Sequence, residues 1–140
     1  MAHERKSILD SIWRGARRTE AAPKDVDFKG TWGNDLNSEM VLHVDSEGRV
    51  TGTYKTGVGQ PDPTESFPLS GFVSGDLITF CVHFGPYGSL TAWAGQHTVE
   101  DGNEMINTLW HLATDVAEED EPANLWRGIL AGANTFTRIQ

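Results

Sequence analysis

After Gly30 the apolar side chains recur with a period of two, and this alternation confines the chain to extended strands with one buried face each. Ile78, Phe80, Val82 and Phe84 share one side of the clearest strand, which the turn residues Ser74, Gly75 and Asp76 precede. Met40, Leu42 and Val44 alternate in the same way, and Asp45-Ser46-Glu47-Gly48 turns the chain into a further extended run from Arg49 to Tyr54. Ser89, Thr91 and Trp93 alternate next, and Asp101-Gly102-Asn103 leads into Ile106, Thr108, Trp110 and Leu112. The pattern predicts eight strands, near residues 30–35, 38–45, 48–56, 67–73, 77–84, 89–99, 103–113 and 125–138. Eight short meandering strands predict an all-β fold, an eight-stranded antiparallel up-and-down β-barrel. Closure removes both exposed edges, and a barrel of this size holds one small ligand.

The 140 residues fit a single domain. Residues 1–29 are set apart as a basic arm, disordered or a short helix, and residues 30–140 form the barrel. Ile8, Leu9, Ile12 and Trp13 have helical spacing, but Asp10, Ser11 and Arg14 interrupt the apolar stretch and argue against a secretory signal. Net charge is −9, which argues against a nucleic-acid partner, because phosphate binding relies on Lys and Arg. No apolar run reaches the roughly eighteen residues that a membrane helix needs. The lone Cys81 cannot close an internal disulfide, and it lies out of phase with Phe80 and Val82, so it is expected to face outward. The run TDVAEEDE at 114–121 reads as a solvated acidic turn.

Catalytic patterns are absent from the sequence. There is no GxSxG, HExxH, GxGxxG or phosphate loop, and no two histidines sit at metal-ligand spacing beside a cysteine. The chain is therefore read as a non-enzyme that needs no cofactor and no metal. What it offers instead is aromatic and hydroxyl residues on one inward phase: Ser89, Thr91 and Trp93, then Thr108 and Trp110, then Tyr54 and Thr56. A buried hydroxyl costs free energy unless it is bonded, so a purely structural core would use Val, Leu and Ile there. Aromatic walls with a few converging polar groups are the usual anatomy of a small-molecule site.

Five segments carry a family resemblance: GTWGNDLNSEM (30–40), GRVTGTYKTGVG (48–59), LTAWAGQ (90–96), INTLWHL (106–112) and NLWRGILAGANTFTR (124–138). In this order and at these spacings the chain resembles the avidin and streptavidin family of biotin-binding proteins. The resemblance implies high-affinity, non-catalytic binding of biotin. It assigns Asn34, Ser38 and Tyr54 as donors to the ureido oxygen, and Thr56 and Asn134 as acceptors from the two ureido nitrogens. Thr91 would face the thioether sulfur, Trp93 and Trp110 would wall the ring, and Ser89 would meet the valerate carboxylate. Residues 57–60, including Gly59 and Gln60, resemble the loop that closes over the ligand. Trp126 matches the tryptophan that one subunit lends to its neighbour.

Three positions depart from the family pattern. Phe84 stands where many members carry a tryptophan, with Phe80 as the second candidate for that place. Residues 85–88 make a shorter connection than most members have, and Gly33 follows Trp32 where an aromatic is frequent. Apolar residues on the outward phase, Leu90, Ala92, Ala94, Leu109, Ile129 and Ala131, point to a homo-oligomer. Trp126 favours a tetramer, with a dimer as the runner-up. The family further implies a secreted or periplasmic protein, with vitamin sequestration as its purpose.

Overall fold

The alternation is realised as strands because each is closed by residues suited to tight turns. Asp45 Oδ1 accepts from the N–H groups of Glu47 and Arg49, both at 2.9 Å, and this Asx turn starts the second hairpin. The computed structural model describes residues 25–140 apart from Gln60 and Pro63. Among these, eight strands run in chain order: β1 (Gly30–Asn34), β2 (Glu39–Val44), β3 (Arg49–Lys55), β4 (Phe67–Ser74), β5 (Leu77–Phe84), β6 (Ser89–Glu100), β7 (Asn103–Thr114) and β8 (Ile129–Ile139). Each pairs antiparallel with the next, and β1 pairs with β8 through Trp32 opposite Arg138, so the sheet closes into an up-and-down barrel. No sheet edge is left open.

The last strand starts later than the alternation suggests. Residues Leu125–Gly128 form a 3-10 turn, and β8 begins only at Ile129. The acidic run ahead of it contains a second such turn, Glu118–Asp120. Cys81 is exposed on β5, between the buried Phe80 and Val82. The short helix suggested for the N-terminal arm lies outside the described residues.

The inward phase packs one core, including Trp32, Met40, Leu42, Val50, Ile78, Val82, Ile106 and Phe136. Phe28, ahead of the first strand, is also buried within it. Together with Trp32 and His97 it seals one end of the barrel: the ring centroids lie 6.5 Å (Phe28–Trp32), 5.9 Å (Phe28–His97) and 6.3 Å (Trp32–His97) apart. The Trp32 indole donates to the Phe28 carbonyl at 2.9 Å. Arg138 lies over the Trp32 ring, 4.3 Å from its centroid. Its guanidinium donates to Glu104 and, at 2.6 Å each, to the carbonyls of Lys29 and Asp27. A cation against an indole face, with its donors also spent on a carboxylate and two carbonyls, closes that end firmly. Access to the interior is therefore from the opposite end.

Candidate ligand-binding site

At the unsealed end the strand termini surround a cavity of about 140 Å³, whose lining includes Asn34, Ser38, Tyr54, Thr56, Phe84, Thr91, Trp93, Trp110 and Asn134. Topology explains the convergence. The end of β1, the turn before β2, the end of β3 and the inward faces of β6, β7 and β8 all reach this space. Ser38, Tyr54, Thr56, Thr91 and Asn134 are buried, yet no fully buried side-chain nitrogen or oxygen among the described residues lacks a partner.

The bonds already made define what each polar group has left to offer. Asn34 Oδ1 accepts from the N–H groups of Leu36 and Ser38, both at 3.0 Å, which leaves its NH2 group to donate into the cavity. Ser38 Oγ accepts from the Gly57 N–H at 3.0 Å, so its own hydroxyl proton is left to donate. Burial pushes the Tyr54 hydroxyl above its ordinary pKa, with Ser38 and Asn34 beside it offsetting part of that push. Tyr54 therefore stays protonated at neutral pH, as a third donor.

The acceptors lie on other strands. Thr56 donates its hydroxyl proton to the Val58 carbonyl at 2.9 Å and accepts from the Val58 N–H at 3.2 Å, leaving one lone pair. Asn134 Oδ1 accepts from the Trp93 indole at 3.2 Å and likewise keeps one lone pair. The Asn134 backbone is tied in turn, its carbonyl accepting from Thr108 Oγ1 at 2.9 Å. Three donors and two separate acceptors in one cavity complement a planar urea, which has one carbonyl oxygen and two N–H groups.

Aromatic rings supply the remaining wall. Trp93 and Trp110 are direct cross-strand neighbours on β6 and β7. Phe80 stacks behind Trp93 at 4.9 Å with a 14° interplanar angle, whereas Phe84 lines the cavity itself. Of the two phenylalanines considered from sequence, Phe84 thus lines the cavity and Phe80 supports Trp93. Trp110 owes its position to Gly132 directly opposite on β8: a Cβ there would fall 2.3 Å from Trp110 Cζ2. Gly57 plays a comparable part, because a Cβ would meet the Leu36 carbonyl at 2.2 Å and hold the loop away from Ser38.

Four of the residues singled out from sequence lie elsewhere or are not described. Gly59 is exposed and does not line the cavity; its neighbour Val58 does, because the bonds to Thr56 fold Val58 inward. Gln60 is outside the described residues. Ser89 opens β6 at the rim, where it lines a separate hollow with His83, Thr114 and Asp115. Trp126, 70% exposed in the turn before β8, does not line the cavity of its own chain. Leu36 and Leu112 line the site without having been singled out, and Val58 does so from within the 57–60 stretch expected to close over the ligand. Leu112 shares the inward phase of Thr108 and Trp110 and was legible on that ground; Leu36 sits in a turn, where no period marks it.

A closed eight-stranded barrel sealed at one end, with a polar and aromatic cavity at the other, defines a small-ligand-binding barrel. The Avidin family model matches residues 22–139, so the chain belongs to the avidin family. Solved structures agree. The chain is similar to xenavidin (32% identity, TM-score 0.71, 83% of this chain and 100% of that one). It is also similar to rhizavidin, solved as a rhizavidin–biotin complex (30% identity, TM-score 0.67, 79% and 98% covered). The biotin binding protein from chicken matches at 27% identity and TM-score 0.72, with 83% and 98% covered. The buried aromatic cluster around Tyr54, Phe80, Phe84 and Trp93 is of the avidin type.

Proposed function

We propose that this protein binds biotin tightly and without catalysis in the cavity at the open end of the barrel. The observation that carries this reading is the division of hydrogen-bonding capacity: donors at Asn34, Ser38 and Tyr54, acceptors at Thr56 and Asn134. The ureido oxygen is met by the three donors and each ureido N–H by one acceptor, while Trp93, Trp110 and Phe84 cover the ring faces. Thr91 lies on the same wall as Trp93, where it faces the thioether sulfur. The rest of the ligand runs out past Val58 and Leu36. Among the described residues no group of three or more His, Cys, Asp or Glu is placed to hold a metal. The test is thermal unfolding with and without biotin, since a ligand bound only to the native state must raise the midpoint. A rise with biotin, and none with an analogue methylated on both ureido nitrogens, supports the reading. An unchanged midpoint with biotin contradicts it.

The same reading includes self-association. Leu90, Leu109 and Ile129 are exposed on the outer face of β6, β7 and β8, among the exposed Ala92, Ala94 and Ala131. Such a face matches a second copy of the chain better than water. The tetramer is the preferred assembly, with Trp126 completing a neighbour's cavity, and the dimer is the second choice. Light scattering at micromolar concentration separates them, and a monomer contradicts both. A secreted or periplasmic location, with vitamin sequestration as the purpose, completes the reading and is tested by cell fractionation.

A further inference from the structure

We propose that the mouth of this cavity selects ligands whose tail is uncharged, so that an amide-linked biotinyl group is preferred over free biotin. The inference rests on the biotin reading and concerns only the part of the ligand that leaves the cavity. The loops at the open end span residues 35–38, 56–66, 85–88 and 115–128. They carry Asp35, Asp62, Glu65, Asp115 and the acidic run at 118–121, against the single cation Arg127. Arg127 itself lies over the exposed Trp126 ring, 5.9 Å from its centroid.

One of these carboxylates is held in place by a side chain of a neighbouring loop. The Tyr87 hydroxyl donates to Glu65 Oε1 at 2.8 Å. The Tyr87 ring meets Phe67 at 5.9 Å, and Phe67 meets Phe84, on the cavity wall, at 4.8 Å. The clamp ties the loop after β3 to the short connection after β5 and holds a negative charge within the open-end loops, two aromatic rings removed from the cavity wall. Ser89, the hydroxyl expected to meet a ligand carboxylate, shares its hollow with Asp115. A carboxylate tail enters this field against repulsion; an amide tail does not. The ureido end is the same in both ligands, so the tail alone separates them. Since these charges face water, the preference must fade as salt screens them.

The experiment compares free biotin with its N-methyl amide on the intact chain, measuring association rates at about 0.01 M and about 1 M salt. At low salt the amide associates several-fold faster, and raising the salt accelerates the acid while leaving the amide nearly unchanged. Glu65→Gln narrows the gap at low salt. An acid that associates as fast as the amide at low salt, or a gap that ignores salt and survives Glu65→Gln, overturns the inference while leaving biotin binding intact. Failure of both ligands to bind overturns the biotin reading and this inference with it.

Discussion

The Trp93 indole N–H donates to Asn134 Oδ1 at 3.2 Å, joining the aromatic wall on β6 to the polar wall on β8 across the width of β7. Neither residue is free to turn without disturbing the other. Asn134→Ala therefore removes an acceptor and releases the indole together. Biotin binding should weaken by roughly 1–3 kcal/mol, the cost of an unmet buried polar group. Calorimetry measures the loss, and a shift in tryptophan fluorescence of the unliganded protein reports the released ring.

Tyr54→Phe isolates one donor. The ring is held by Trp93 at 5.1 Å and Phe84 at 6.0 Å, contacts a phenyl group keeps. The variant should unfold at nearly the parent temperature while losing roughly 1–3 kcal/mol of biotin affinity. Affinity equal to the parent's would remove Tyr54 from the site.

Gly132→Ala tests the placement of Trp110. With a new Cβ 2.3 Å from the indole, the ring must shift into the cavity or the strands must part. Overpacking of this kind costs about 1–3 kcal/mol. The expected signature is a loss of biotin affinity of about tenfold or more, whereas Gly102→Ala, in the turn after β6 at the sealed end, costs stability through its positive φ of 79° but leaves affinity unchanged.

Two pH responses should separate. The Arg138 guanidinium bonded to Glu104, with His97 assisting, holds that carboxyl below the usual carboxylate range. A lowered folded-state pKa contributes stability that is complete above the unfolded value and is lost as pH falls through the folded one. Acid should therefore destabilise the sealed end, and Glu104→Gln should flatten the acid limb of a melting-temperature profile. Binding behaves differently. Asn34, Ser38, Thr56 and Asn134 do not titrate near neutrality, and Tyr54 is pushed further from it. Affinity for the uncharged biotin amide should be flat between about pH 6 and 9.

The strands were legible because burial on one face forces a period of two, and Ile78, Phe80, Val82 and Phe84 obey it residue by residue. Where the period stops, legibility stops. Residues 125–128 read as the start of a strand but coil into a 3-10 turn, which sequence spacing does not distinguish over so few residues. Tyr54, Thr56 and Thr91 were legible as inward-phase polar residues, whereas Asn34 and Ser38, which sit where strands end, were reached only through the family resemblance. Gly132 shows a further limit: its role is the space it leaves for Trp110 on the neighbouring strand, and an empty position has no signature until the register is known.

The most direct measurement is an isothermal titration of the full chain with biotin at neutral pH, repeated on the variant that combines Tyr54→Phe with Asn134→Ala. One tight site per chain is expected for the parent. The variant should bind at least about thirtyfold more weakly, the sum of two losses of at least about 1 kcal/mol each. Absence of binding heat with an unchanged melting temperature, or a double variant that binds as tightly as the parent, would contradict a biotin site built from these residues.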